Sequence, residues 1–230
     1  MKDSPSLART IAIGDIHGCS NALGTIIAAL APEPDDTIVV LGDFIDRGVD
    51  TRGVIDQLIK LSSQCRLISI QGNHEQMMLD AMEDRTKLRT WIQYGESTLM
   101  SYGAEATLES IPIEHLAFVR STRDYFETAS HLFVHATYVP NLPMEEHSAL
   151  FLRWESFEPA RLSPRYSGKK VIVGHTRQES GEVCDIGFAA CIDTGCYRGG
   201  WLTAMQVVSG QIWQVNEAGR FRTRAETNSG

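Results

Sequence analysis

Short apolar runs alternate with glycine-bearing polar turns and helix-like segments through the first third of the chain. Thr10 to Ile13, Thr37 to Leu41 and Leu67 to Ile70 are rich in β-branched residues, and each gives way to a glycine turn followed by a segment of helical character. The spacing predicts helices over Ser20 to Leu30, closed by Pro32 and Pro34, and over Thr51 to Ser63, where Val54, Leu58 and Leu61 share a face. This βαβαβ order predicts an α/β fold. Right-handed crossovers would bring the ends of three parallel strands to one sheet edge.

From Gln76 to about Arg123 the pattern is helical, with Met77, Met78, Ala81, Trp91 and Ile92 as apolar contacts and a break expected at Tyr94-Gly95. This part is read as a cap beside the loops. Strand character returns in His131 to His135, Lys170 to Val173, Ala190 to Asp193, Leu202 to Val208 and Ile212 to Val215, which predicts a second sheet layer. Pro140 to Gly168, rich in proline and charge, reads as a long surface loop. The expected organisation is a single domain over residues 1–222 and a frayed polar tail over 223–230.

The chain has 230 residues, enough for one α/β domain that buries roughly three quarters of its unfolded surface. Its formal charge of −8 is spread along the sequence, which argues against nucleic acid as a partner. An anionic substrate would need local positive charge, from bound metal ions and a few arginines, acting within a Debye length of about 8 Å. The five cysteines (Cys19, Cys65, Cys184, Cys191 and Cys196) show no Cys-x-x-Cys pair, so neither a disulfide framework nor a structural zinc site is indicated. Without an apolar leader in Met1 to Arg9 or a run long enough to span a bilayer, the expected location is the cytoplasm, with no membrane partner.

The chemistry gathers in the three glycine turns: Gly14-Asp15-Ile16-His17-Gly18, Gly42-Asp43-Phe44-Ile45-Asp46-Arg47-Gly48 and Gly72-Asn73-His74-Glu75. Asp15 and His17 can converge on one ion, the two oxygens of Asp43 can bridge two, and Asn73 adds a neutral oxygen. His135 and His175 follow later strand-like runs. A single histidine or aspartate in such a place more often serves as a structural hydrogen-bond partner or a turn cap. Acid, histidine, acid and asparagine on consecutive strand ends reverse those odds. A mixed oxygen and nitrogen set with one bridging carboxylate predicts two divalent transition-metal ions, manganese foremost, with iron, zinc, cobalt or nickel as alternatives.

In order and spacing the three runs resemble the signature of the metallophosphoesterases, and within them the phosphoprotein phosphatase family of bacterial and bacteriophage serine/threonine phosphatases. Phe133-Val134-His135-Ala136, Val173-Gly174-His175-Thr176 and Ile192-Asp193-Thr194-Gly195 match the later family blocks, so the resemblance covers nearly the whole chain. It implies a two-layer β-sandwich flanked by helices. It implies one metal on Asp15, His17 and Asp43, and a second on Asp43, Asn73, His135 and His175. It also assigns His74 as general acid, Asp46 as the group that orients it, and Arg47 to the substrate's phosphoryl oxygens. Direct attack on phosphorus by hydroxide formed at the metal pair would then need no phosphoenzyme.

Arg153 is a second candidate for phosphate binding; stacking on Trp154 or pairing with Glu155 would account for it equally well. Two positions depart from the family pattern. Thr137 stands where relatives commonly have glycine, and Tyr94-Gly95-Glu96 stands where bacterial relatives often have Asn-Gly-Gly. Both concern the pocket rim. The expected substrate is phosphoserine or phosphothreonine in proteins or peptides, with small phosphate esters as further substrates. The nearest alternative is hydrolysis of diadenosine tetraphosphate or another nucleotide, though such enzymes tend to have alanine where Asp46 stands. A catalytically silent metal-binding scaffold is a third reading. The sequence does not determine the oligomeric state.

Overall fold

Alternation along the strands decides which way each layer faces. In the computed structural model, which describes residues 8–223, strands β1 (Thr10–Ile13), β2 (Thr37–Val40) and β3 (Arg66–Ser69) run parallel and alternate with helices α1 (Ser20–Leu30) and α2 (Thr51–Ser62). Ile11, Ile13, Ile38 and Val40 face these helices, while Ala12, Val39 and Leu41 face the opposite way. Both faces are covered, so these strands read as continuous apolar runs.

Helices α3 (Asn73–Glu83), α4 (Leu88–Met100) and α5 (Ile113–Arg120) come next. They lead to β4 (Tyr125–Glu127), β5 (His131–Val134), α6 (Ala149–Arg153), β6 (Lys170–Val173), β7 (Cys184–Asp185), β8 (Ala189–Cys191), β9 (Leu202–Gln206) and β10 (Ile212–Val215). One sheet has the order β10-β9-β1-β2-β3 and the other β4-β5-β6-β8-β7. Phe133, Ile172, Ala190 and Ile192 of the second sheet pack against Ala12, Val39 and Leu41 of the first, giving a two-layer sandwich with helices outside. No described helix is long and apolar enough to cross a membrane.

Three readings of the sequence are corrected. The last two strands do not extend the second layer: β9 pairs antiparallel with β1, and β10 with β9, on the first sheet. Pro140 to Gly168 is not a plain surface loop, because it contains α6 and buries Met144, Leu152 and Phe157 against the outer face of the second sheet. Helix α4 runs unbroken through Tyr94-Gly95. A Cβ on Gly95 would stand 2.3 Å from the Trp91 ring, so the glycine makes room for an indole and does not end a helix. The expected tail falls outside the described residues apart from Thr223.

Candidate active site

The carboxyl ends of β1, β2, β3, β5 and β6 converge, and hydrogen bonds between their loops fix the spacing. Ile16 and His17 donate their backbone N–H groups to the Asp43 carbonyl (3.1 and 2.9 Å), and Gly174 donates to the His135 carbonyl (2.8 Å). The fit leaves no space at two glycines: a Cβ on Gly72 would lie 2.1 Å from Asp43 Oδ1, and one on Gly174 would lie 2.1 Å from Asp15 Oδ1. Five non-glycine residues of the site, His17, Asp43, Asp46, Arg47 and His175, have φ between 46° and 70°. Left-handed backbone costs of order 1–3 kcal/mol at each such residue, and its concentration here marks a functional region.

Asp43 stands at the middle. Its Oδ2 is 3.7 Å from His17 Nε2 and 3.9 Å from His74 Nε2, while its Oδ1 is 3.4 Å from His135 Nε2. The ligand atoms of His17, Asp43 and His74 form one close group and those of Asp43, His135 and His175 another. Asn73 Oδ1 lies 3.2 Å from His135 Nε2 and 3.1 Å from His175 Nδ1. Asp15 accepts the His175 backbone N–H on both oxygens, each at 3.1 Å. The structure thus gathers Asp15, His17, Asp43, Asn73, His135 and His175, with Asp43 between the two groups.

The outer nitrogens of the imidazoles separate two kinds of histidine. His17 Nδ1 lies 3.0 Å from the Ile45 carbonyl, His135 Nδ1 2.7 Å from that of Leu41, and His175 Nε2 3.0 Å from that of Trp154. A carbonyl only accepts, so each of these nitrogens carries the proton and donates it, and the other nitrogen of each ring turns inward. Once the inner nitrogens of His135 and His175 are free of protons, both would present lone pairs beside the Asn73 oxygen, an arrangement that a shared cation satisfies. The donor set fits divalent metal on this ground. His74 differs, because its Nδ1 is held by a carboxylate, Asp46 Oδ2, at 2.8 Å. We therefore separate His74 from the ligands despite its proximity to His17 and Asp43.

Protonation divides the four rings differently, with His135 joining His74. Burial pulls His17 down to about 3, and burial together with the charge on His135 pulls His175 down to about 4. Burial also disfavours a charge on His74 and on His135, yet Asp43 outweighs it, raising His74 with help from Asp46 and raising His135 to about 10. Asp15 is pushed well above the usual carboxylate range by burial and by the Asp193 carboxylate. Crowded carboxylates that draw protons onto their neighbours are suited to hold cations in place of those protons.

Four functional side chains escape a reading of ligand types alone. Glu75, fully buried, accepts from the backbone N–H groups of Asp43 (2.8 Å), Phe44 (2.9 Å), Ile45 (3.3 Å) and Gly72 (2.9 Å). It is a clamp on two loops, and burial followed by the Asp43 charge raises it to about 7. Asp46 is braced from α4, where Trp91 Nε1 donates to Oδ2 (3.1 Å) and Thr98 Oγ1 to Oδ1 (2.6 Å), while Thr51 lies 3.2 Å from its backbone nitrogen. Trp91 and Thr98 are seven residues apart, two helical turns, and this same-face spacing was the available signal. Thr98→Val should lower turnover by about tenfold without changing metal content. Unchanged turnover would show that Asp46 needs no brace.

Arg47 reaches the site between two aromatic rings, with its guanidinium carbon 4.6 Å from the Tyr94 centroid. Arg153 is buried, pairs with Asp124, and has an Nε without a hydrogen-bond partner. It therefore follows neither of the structural alternatives, a stack on Trp154 or a pair with Glu155. Cys19 and Cys196 are buried against each other, and that contact together with burial raises the Cys196 thiol.

Residues 8–201 match the calcineurin-like phosphoesterase family. Serine/threonine-protein phosphatase 1 of Salmonella typhimurium is 28% identical over 204 residues, covering 85% of this chain and 90% of that one. The symmetrical bis(5'-nucleosyl)-tetraphosphatase of Acidovorax sp. is 36% identical over 70 residues, which is 30% of this chain and 24% of that one. Among solved structures, one described as a putative diadenosine tetraphosphatase superposes with a TM-score of 0.70 at 20% identity, over 92% of this chain and 94% of its own. The likeness to that structure is one of fold. The extent of the family match, joined to a site whose imidazoles are tied outward and open inward around one carboxylate, makes this chain a member of the calcineurin-like metallophosphoesterases, hydrolases with a dinuclear divalent metal centre.

Proposed function

We propose that the chain is a phosphomonoesterase that removes phosphate from phosphoserine and phosphothreonine in proteins. The observation that carries this reading is the buried His74–Asp46 pair. A phosphoanhydride releases a nucleotide phosphate, a good leaving group that departs with little protonation. A serine or threonine ester releases an alkoxide, which needs a proton as the bond breaks. An imidazole whose charged form Asp43 and the braced Asp46 carboxylate favour answers that need. The Salmonella phosphatase aligns over 85% of this chain, whereas the tetraphosphatase alignment spans 30% of it, which supports the same reading.

Asp15, His17, Asp43, Asn73, His135 and His175 would hold the two ions, manganese being the first choice for this oxygen and nitrogen set. Bound there, they would supply positive charge against the phosphoryl oxygens and a water made acidic enough to react near neutrality. Arg47 offers paired N–H donors to the phosphoryl oxygens. His74 presents Nε2 to the centre and gives its proton to the departing oxygen, while Asp46 fixes the ring and stabilises its charged form.

The test is a substrate panel with phosphoserine and phosphothreonine peptides, a small aryl phosphate and diadenosine tetraphosphate, run with Mn, Co, Ni, Zn and Mg. Phosphopeptide kcat/KM is expected to exceed that of the dinucleotide by at least about tenfold, the smallest gap a monoester-specific acid should open. The reverse order would make the protein a nucleotide hydrolase. No turnover with any metal would leave the scaffold reading.

A further inference from the structure

Arg47 occupies an unusual setting for a charged side chain. Its backbone is held at φ 70°, and its N–H donates to the Tyr94 carbonyl at 3.3 Å. The guanidinium carbon is 4.6 Å from the Tyr94 ring centroid and 5.6 Å from that of Tyr197. Its Nε is buried without a hydrogen-bond partner, and no carboxylate pairs with it among the described residues. The same two rings reach histidines of the site: Tyr197 meets His17 edge-on at 4.7 Å, and Tyr94 meets His74 edge-on at 5.8 Å.

We infer that Tyr94 and Tyr197 are positioning residues, which hold the Arg47 guanidinium between their faces so that its free N–H edge receives the oxygens of a phosphate-bearing ligand. A carboxylate could also hold an arginine in place, but it would occupy the in-plane N–H donors and compete with phosphate for them. An aromatic ring attracts the flat face of the guanidinium and leaves those donors open. The negative partner that Arg47 lacks is then the ligand itself. Tyr197 follows the Asp193-Thr194-Gly195 block, which brings a second ring to the same side chain from the far end of the sequence.

The inference rests on the phosphate-binding role proposed for Arg47 and is independent of which ester is cleaved, so inorganic phosphate is the probe. In the manganese-loaded protein, calorimetry should show phosphate affinity falling by roughly three- to tenfold in Tyr94→Leu and in Tyr197→Leu, and little in Tyr94→Phe or Tyr197→Phe, where the ring remains. In an Arg47→Ala background, Tyr94→Leu should cause no further loss. A readout without metal is the NMR signal of the Arg47 Nε–H, which ring currents should shift upfield in the parent and in Tyr94→Phe, and less in Tyr94→Leu, where only the Tyr197 ring remains. Unchanged affinity in both leucine variants, or the same loss with Arg47 absent, would overturn the inference. An Arg47→Ala protein that binds phosphate normally would overturn both it and the Arg47 assignment. Preference for diadenosine tetraphosphate, with the coupling intact, would overturn only the proposed substrate.

Discussion

Asp43→Asn should strip the protein of both divalent ions together, lowering the affinity of each by at least about 100-fold, a loss at the upper end of what outer partners of a metal site cause. The expectation comes from the two oxygens, one directed towards His17 and the other towards His135. Asparagine keeps one oxygen and replaces the other with an amide nitrogen, which carries protons and no charge, so neither half of the site keeps its bridge. The substitution is well suited to the question because Asp43 has φ 46°, a conformation that asparagine tolerates better than most residues. The backbone N–H of Asp43 can still reach Glu75, so the loop retains its clamp. Metal analysis after dialysis and titration with Mn give the result, and the melting temperature without metal tests the fold. Retention of one ion at parental affinity would show that Asp43 serves a single site.

The candidate ligands stood out because each lies at or near the end of an apolar run, several directly after a glycine, and a parallel sheet delivers such positions to one edge. Helix α1 begins and ends where its spacing and prolines place it, and β6 and β10 match their apolar runs. The supports were harder to see. Glu75 lies within a motif of ligand types, yet its carboxylate serves four backbone N–H groups, and nothing in a carboxyl side chain's identity distinguishes a metal ligand from a loop clamp. Trp91 reads as an apolar contact, while its polar edge holds Asp46, 45 residues away in sequence. The place of β9 and β10 on the first sheet was hidden for a related reason: local pattern defines a strand but not its partner, and pairing across nearly 200 residues is a property of the assembled core.

His74→Asn should leave both ions bound and reduce kcat on phosphopeptides by about 10² to 10⁴, the range for loss of a general acid. Asn73, its neighbour, is a proposed ligand, so metal retention would be a demanding result for two adjacent residues. The basis lies in the outer nitrogen. The outer nitrogens of His17, His135 and His175 donate to carbonyls, which leaves their inner nitrogens to face the metal, whereas His74 has its outer nitrogen on the Asp46 carboxylate, which helps to favour its charged form. After substitution Asp46 still accepts from Trp91 and Thr98, so its buried carboxylate stays partnered and the fold should survive. The loss should depend on the leaving group. An aryl phosphate, whose leaving oxygen needs less help, should lose far less than a serine ester. A proton donor works below its own pKa, and that of His74 is raised. The parent rate should therefore fall as pH rises through this value, and the variant should lack that alkaline limb. Equal losses on both substrates would remove the acid role. Metal loss matching that of Asp43→Asn would place His74 among the ligands, where its Nε2, 3.9 Å from Asp43 Oδ2, already faces the group formed with His17.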